Sequence, residues 1–211
     1  ILIVGLPILL GELAIGRNTQ LSPVGAFNKL SGLSKWKWVG FLGVASAFVI
    51  LSFYGVVGGW TLKYTILALS GGFDTLSGQP DTSNKVFGEF IGSSFQPVLW
   101  QLIFMSFCIG IIVKGVKSGI ESGAKIMMPL ILVILALLVF KGLSLEGGKK
   151  GLEFLFKPKF SDLNPSSIVM ALGHAFFTLS LGMGTMITYG SYLQRKQKLL
   201  HSALWLSLIH I

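Results

Sequence analysis

Five apolar runs of near-spanning length, separated by short polar segments, constrain this chain more than any other feature. They cover about residues 1–15, 39–71, 98–116, 123–141 and 167–193. A helix needs roughly 20 apolar residues to cross the hydrocarbon core of a bilayer, and runs of this length recur too often for one soluble core. Charge agrees: 12% of the residues are charged and 52% are hydrophobic, where a soluble domain carries about 25% charge. In lipid every backbone N–H and C=O must be satisfied within the protein, which leaves helices or closed barrels. Runs of this length specify helices. The expected fold class is all-α, a polytopic helical membrane protein.

The net charge of +9 invites a nucleic-acid reading, but the basic residues sit in the segments between apolar runs. They do not form a soluble basic face with interleaved aromatics, so no nucleic-acid partner is expected. Their distribution bears on orientation instead. With segment 17–38 inside, the cytoplasmic segments hold Arg17, Lys29, Lys35, Lys37, Lys114, Lys117, Lys125, Arg195, Lys196 and Lys198. The other side holds Lys85, Lys141, Lys149, Lys150, Lys157 and Lys159. Ten against six favours this orientation, with segment 141–165 dissenting. Cys108 is the single cysteine, which excludes an internal disulfide or a cluster of several thiolates.

Run 39–71 is longer than one perpendicular crossing needs, so tilt or an extension beyond the bilayer is expected. Pro129 falls in the first turns of the run that is apolar from Ile126 to Phe140, where a missing N–H costs least. Segments 17–38, 72–97 (with Asp74, Asp81 and Glu89) and 141–165 read as loops. Asp162-Leu163-Asn164-Pro165-Ser166 reads as a helix start. Ile1 opens within an apolar run. Residues 206–211 are expected to be a translated sequencing adapter, with the start of a further span as the alternative, so the transporter domain is taken as 1–205.

The segment His174-Ala175-Phe176-Phe177-Thr178-Leu179-Ser180-Leu181-Gly182-Met183-Gly184 carries two glycines beside a serine and a threonine, all poor propagators of a helix. An unwound backbone within a membrane is tolerated where it lines a cavity or is buried in protein, and transporters place such breaks at their ion and substrate sites. Close helix packing is the other use of such glycines. Glu12 is the one acid well inside an apolar run. It is either a functional carboxylate or a group near enough to the interface to reach water.

Read together, the segments resemble the neurotransmitter:sodium symporter family, in particular its bacterial sodium-dependent amino-acid transporters. Gly5-Leu6-Pro7-Ile8-Leu9-Leu10-Gly11-Glu12-Leu13-Ala14-Ile15-Gly16-Arg17 is similar to the end of the family's second helix. Ser52-Phe53-Tyr54-Gly55-Val56-Val57-Gly58-Gly59-Trp60-Thr61-Leu62 is similar to the third, and Gly123-Ala124-Lys125-Ile126-Met127-Met128-Pro129 to the start of the fifth. Phe176–Gly184, continuing through Thr188-Tyr189-Gly190-Ser191-Tyr192, is similar to the broken sixth. The four motifs stand in order and cover nearly the whole chain. The resemblance implies part of an inverted-repeat fold with a broken sixth helix, from within helix two to the start of helix seven. Most sodium ligands would lie outside this stretch.

The resemblance also implies roles. Tyr54 matches the tyrosine whose hydroxyl binds the substrate carboxylate, a packed aromatic being the plainer reading. Ile50, one turn earlier on the same face, matches a pocket-lining position. Phe177 matches the aromatic lid, and Ser180 the unwound segment beside the substrate. Thr178 matches a sodium ligand using carbonyl and hydroxyl oxygens, hard donors for a hard cation. Met183 stands at the pocket wall, where a flexible thioether adapts to larger side chains, so the expected substrate is a hydrophobic or aromatic amino acid. Glu12 matches a brace of the broken helix and Tyr192 a cytoplasmic-gate tyrosine, interfacial packing being the alternative for Tyr192. His174 departs from the pattern: chloride-dependent relatives carry glutamine there, which counts against chloride as a second cofactor beside co-transported sodium. A packing role for His174 is set against a proton relay.

The expected function is sodium-coupled amino-acid symport by a multi-pass protein of the cell membrane, bacterial inner membrane by the short loops. Its expected partners are the amino acid and surrounding lipid. A sodium-independent transporter of the same fold is the alternative. An intramembrane enzyme would need a catalytic constellation, and a channel a filter loop or charged ring; neither stands out in the sequence, so no enzyme is expected.

Overall fold

A computed structural model describes residues 1–73, 80–157, 159, 161 and 163–210, with only the backbone of 80–83, 117 and 208–210. Asp74, Asp162 and the Asp81 side chain lie outside the described residues. Helices follow one another as α1 (Gly5–Thr19), α2 (Pro23–Ser31), a 3-10 turn (Ser34–Trp36), α3 (Lys37–Leu69), α4 (Pro80–Gly92) and α5 (Gln96–Val113). A π-helical turn (Val116–Glu121) leads to α6 (Ser122–Ser144), α7 (Gly148–Phe156), α8 (Pro165–Thr178), α9 (Thr185–Ser191) and α10 (Leu199–His210). No strand occurs among the described residues.

Among the described residues, three helical stretches are long and apolar enough to cross a membrane: Ser34–Leu69, Gln96–Val113 and Ser118–Ser144. α3 has 33 residues, about 50 Å at 1.5 Å per residue, against a hydrocarbon core of ~30 Å. It therefore has the excess length that tilt or extension requires. α6 buries no side chain, and Leu132 and Phe140 are 66% and 73% exposed. Such a surface calls for a hydrocarbon solvent or further apolar helices, since water would penalise it.

The segments read as loops hold helices. In 17–38, α1 continues past residue 15 to Thr19, and α2 is started by Ser22, whose hydroxyl accepts from the Gly25 N–H at 3.5 Å ahead of Pro23. α4 lies in 72–97 and α7 in 141–165. These helices are short and polar on one side, so a search for spanning apolar runs passes over them. Pro129 is also corrected: α6 begins at Ser122, so the proline sits in the helix interior. There it removes an intrahelical hydrogen bond. The helix start before α8 is as expected. Asn164 accepts from the Ser167 N–H at 2.8 Å in a reciprocal capping box, with Pro165 in the first turn.

The chain divides into two compact units, Ile1–Leu51 with Phe160–Ile211, and Ser52–Lys159. In the first, α1 packs on α9, and Leu9, Leu13, Leu179, Leu181, Met186 and Ala203 form the core. The two helices meet at glycines. A Cβ on Gly190 would stand 2.6 Å from the Leu13 carbonyl, and one on Gly16 would meet the Ile187 carbonyl. Membrane helices lack a hydrophobic drive toward one another, so such close backbone approach contributes much of their association. In the second unit α3 meets α5 similarly: a Cβ on Gly59 would lie 2.6 Å from the Gln101 nitrogen. One turn further along α3, the Lys63 ammonium stands 3.7 Å from the Phe90 ring centroid and donates to Gln96 Oε1 at 3.0 Å.

In the full-length protein Gly190→Val should lower stability by about 1–3 kcal/mol through overpacking. Gly11→Ala, with nothing within 4 Å of its Cβ, should leave it near the parent value. Thermal unfolding in detergent distinguishes the two.

Candidate functional site

Residues 179–184 interrupt the helical path between α8 and α9. The local sequence explains how. α8 closes in a Schellman arrangement, with the Leu181 N–H on the Phe176 carbonyl at 2.9 Å and the Ser180 N–H on the Phe177 carbonyl at 3.1 Å. The left-handed position of this motif is usually glycine; here it is Ser180, at φ 53°, a conformation that costs a non-glycine residue energy. Gly182 (φ 78°) and Gly184 (φ 72°) follow in the same region, where the absence of Cβ removes the penalty. Leu179 and Leu181 are buried on either side of Ser180 and anchor the unwound segment in the core.

Glu12 crosses from α1 to this break. Its Oε1 accepts from the Gly182 N–H at 2.6 Å, a charge-assisted bond if the carboxylate is ionised and a strong one by its length. Unwinding leaves this N–H without a helical partner, so Glu12 supplies what the helix no longer does. The second oxygen, Oε2, is buried and has no hydrogen-bond partner among the described residues. A cavity of about 110 Å³ lies here, lined by Glu12, Gly43, Gly182 and Gly184 among others. It is polar at the carboxylate and large enough for ordered water.

The structure places the expected residues as follows. Phe177, 48% exposed, and Thr178 end α8, while Ser180 and Met183 lie within the break. No described backbone N–H donates to the Thr178 carbonyl, and its hydroxyl is 3.2 Å from His174 Nδ1. Glu12 faces the break through its bond from the Gly182 N–H. Ile50 lies on α3 within the first unit, and Tyr54, the next turn of the same helix, belongs to the second. The Tyr54 ring contacts Phe53 edge-on at 6.1 Å. Tyr192 closes α9 and is 59% exposed.

Gly43 is a participant the sequence reading passed over. A Cβ there would stand 3.3 Å from the Gly182 carbonyl oxygen and the Gly184 nitrogen, so α3 lies directly against the break. Gly40, three residues earlier, would meet the Pro23 carbonyl oxygen at 2.6 Å. Two small residues three apart on a long apolar helix were the available signal.

A model of the sodium:neurotransmitter symporter family matches residues 90–211. The chain belongs to this family. An uncharacterized sodium-dependent transporter of Bacillus subtilis (strain 168), YhdH, is 40% identical over 210 residues, covering 100% of this chain and 46% of the relative. An uncharacterized sodium-dependent transporter of Haemophilus influenzae is 35% identical, covering 96% and 46%. The crystal structure of MhsT in complex with L-phenylalanine superposes with a TM-score of 0.88 at 43% identity, covering 98% of this chain and 47% of that one. The chain thus spans about half the length of the relatives it matches. In this symporter-family chain, α8 and α9 with the break between them are the interrupted sixth helix of the fold.

Removing the brace should expose its importance. Glu12→Ala leaves the Gly182 N–H, a donor in a part-buried hydrogen bond, without its charged acceptor and should cost the full-length protein about 1–3 kcal/mol. Glu12→Gln retains an acceptor and should lose less. Thermal unfolding of the two variants side by side checks the order.

Proposed function

We propose that the full-length protein is a sodium-coupled symporter of a hydrophobic or aromatic amino acid in the cell membrane, working by alternating access. The break at 179–184, held open by Glu12, carries the proposal. It leaves the Thr178 carbonyl without a described backbone donor, beside a hydroxyl on the same residue. Two such oxygens are hard donors of the kind an alkali cation takes, although most of the ion's ligands would come from outside this chain. Sodium in a dry site would partly neutralise a substrate carboxylate, which couples the two binding events electrostatically.

The remaining roles follow the family resemblance. Tyr54 would donate its hydroxyl to the substrate carboxylate, Ile50 and Met183 would line the side-chain pocket, Phe177 would close over it, and Ser180 would flank it in the unwound segment. Tyr192 would serve the cytoplasmic gate. MhsT, with its bound phenylalanine, supports a large apolar substrate, as does the adaptable Met183. His174 donates to or accepts from Thr178, so it orients the proposed sodium ligand. Chloride has no support from this position.

Uptake of labelled leucine and tryptophan into proteoliposomes of the full-length protein tests the reading. Accumulation should require an inward sodium gradient and fail with potassium. Tyr54→Phe should weaken apparent substrate affinity by about 1.5–3 kcal/mol, roughly ten- to 150-fold, by removing one hydrogen bond to a charged group. Thr178→Ala should raise the sodium concentration for half-maximal uptake. Cation-independent uptake would point to the sodium-independent alternative, and equal competition by glycine and tryptophan would contradict the substrate class.

A further inference from the structure

The first unit is unevenly charged. Besides Glu12 and Asp162 it holds no acid, yet it carries Arg17, Lys29, Lys35, Lys37, Arg195, Lys196 and Lys198. Glu12 is committed to the Gly182 N–H. At the end of α1, Arg17 and Arg195 line one open cavity of about 430 Å³ together with Ala14 and Asn18. That volume falls within the roughly 300–1,000 Å³ of small-ligand sites.

Several nearby carbonyls already have donors. The Gly16 carbonyl takes the Gln20 N–H at 2.8 Å, and the Arg17 and Leu193 carbonyls take the Gln20 amide at 3.0 and 3.1 Å. The Thr19 carbonyl takes Lys29 at 3.4 Å, and the Gln197 carbonyl takes one Arg17 nitrogen at 2.8 Å. The Gly16, Arg17 and Thr19 carbonyls, which at a helix C-terminus would otherwise repel an anion, are therefore capped. The rest of the Arg17 fork remains available, and the Arg195 side chain has no hydrogen bond or ion pair among the described residues. Two guanidinium groups around one cavity repel each other unless an anion lies between them. Their planar forks suit an oxyanion held by paired hydrogen bonds. The place matters as well: this is the end of an apolar membrane run, the level at which anionic head groups gather.

We propose that Arg17 and Arg195 form a binding site for a phosphate-bearing anion, of the kind supplied by an acidic phospholipid head group or by soluble phosphate. Neither arginine belongs to the proposed transport machinery, so the site stands or falls separately from sodium symport.

Native mass spectrometry of the full-length protein in detergent, titrated with phosphatidylglycerol or phosphatidylcholine, is the test. Wild type should retain one phosphatidylglycerol in preference to phosphatidylcholine. Arg17→Gln/Arg195→Gln should weaken that retention about tenfold or more. Lys35→Gln/Lys37→Gln, which removes the same charge elsewhere, should not. Arg17→Lys/Arg195→Lys keeps the charge but loses the forks, and should fall in between, which guards against a folding defect in the glutamine variant. Thermal stabilisation of wild type by inorganic phosphate, without phosphatidylglycerol preference, would support the site with a soluble ligand. No lipid preference and no phosphate response in wild type would overturn the proposal. So would equal weakening by the arginine and lysine pairs, which would mean diffuse charge attraction.

Discussion

The hydrogen bond from the Gly182 N–H to Glu12 Oε1 is the interaction on which the first unit turns. A membrane helix can be unwound only if something else satisfies the backbone groups that unwinding releases. Here a carboxylate from α1 does so at 2.6 Å, while Leu179 and Leu181 hold the segment in the core. The consequences spread through the unit. α1 must come close to α9, which glycines at 16 and 190 permit, and α3 must lie against the break, which Gly43 permits. Small residues at these contacts are thus requirements of the unwound geometry, for any larger side chain would force the elements apart.

The break, the carboxylate and the glycine contacts form one arrangement, suited to the ion site proposed above. Regular helix hides its carbonyls in internal hydrogen bonds, and only an interruption can turn them toward an ion. The strained Ser180 is the local cost of that interruption, which Gly182 and Gly184 limit because they carry no Cβ. Strain of this type persists where surrounding structure over-determines it, as the capping of α8 and the burial of both leucines do. In the family to which the chain belongs, this region is the interrupted helix around which the fold is organised.

Much of this was legible in the sequence, for physical reasons. Long apolar runs announce spanning helices because hydrocarbon demands them, and α3, α5 and α6 followed. Asn164-Pro165 announced the start of α8 because capping chemistry is local. The break was suggested by Gly182 and Gly184 and favoured by the resemblance, but the contact between Glu12 and Gly182 shows only in three dimensions, since the two are separated by most of the chain. What the sequence concealed were the short helices α2, α4 and α7, whose apolar faces are too brief to stand out beside the spans. Pro129 was placed in the first turns because the apolar run begins at Ile126, whereas the helix begins at Ser122 and includes polar residues. The role of Gly43 lay hidden because its significance depends on a partner segment far along the chain.

Hydrogen–deuterium exchange of the full-length protein, in sodium and in potassium at equal ionic strength, tests most directly whether the braced break is the ion-responsive element. Amides in a peptide covering 176–184 should exchange more slowly in sodium than in potassium, with peptides from α6 unchanged. The Glu12→Ala variant should exchange faster at 176–184 in both salts. Identical exchange at 176–184 in the two cations, or protection that survives loss of the Glu12 carboxylate, would contradict it.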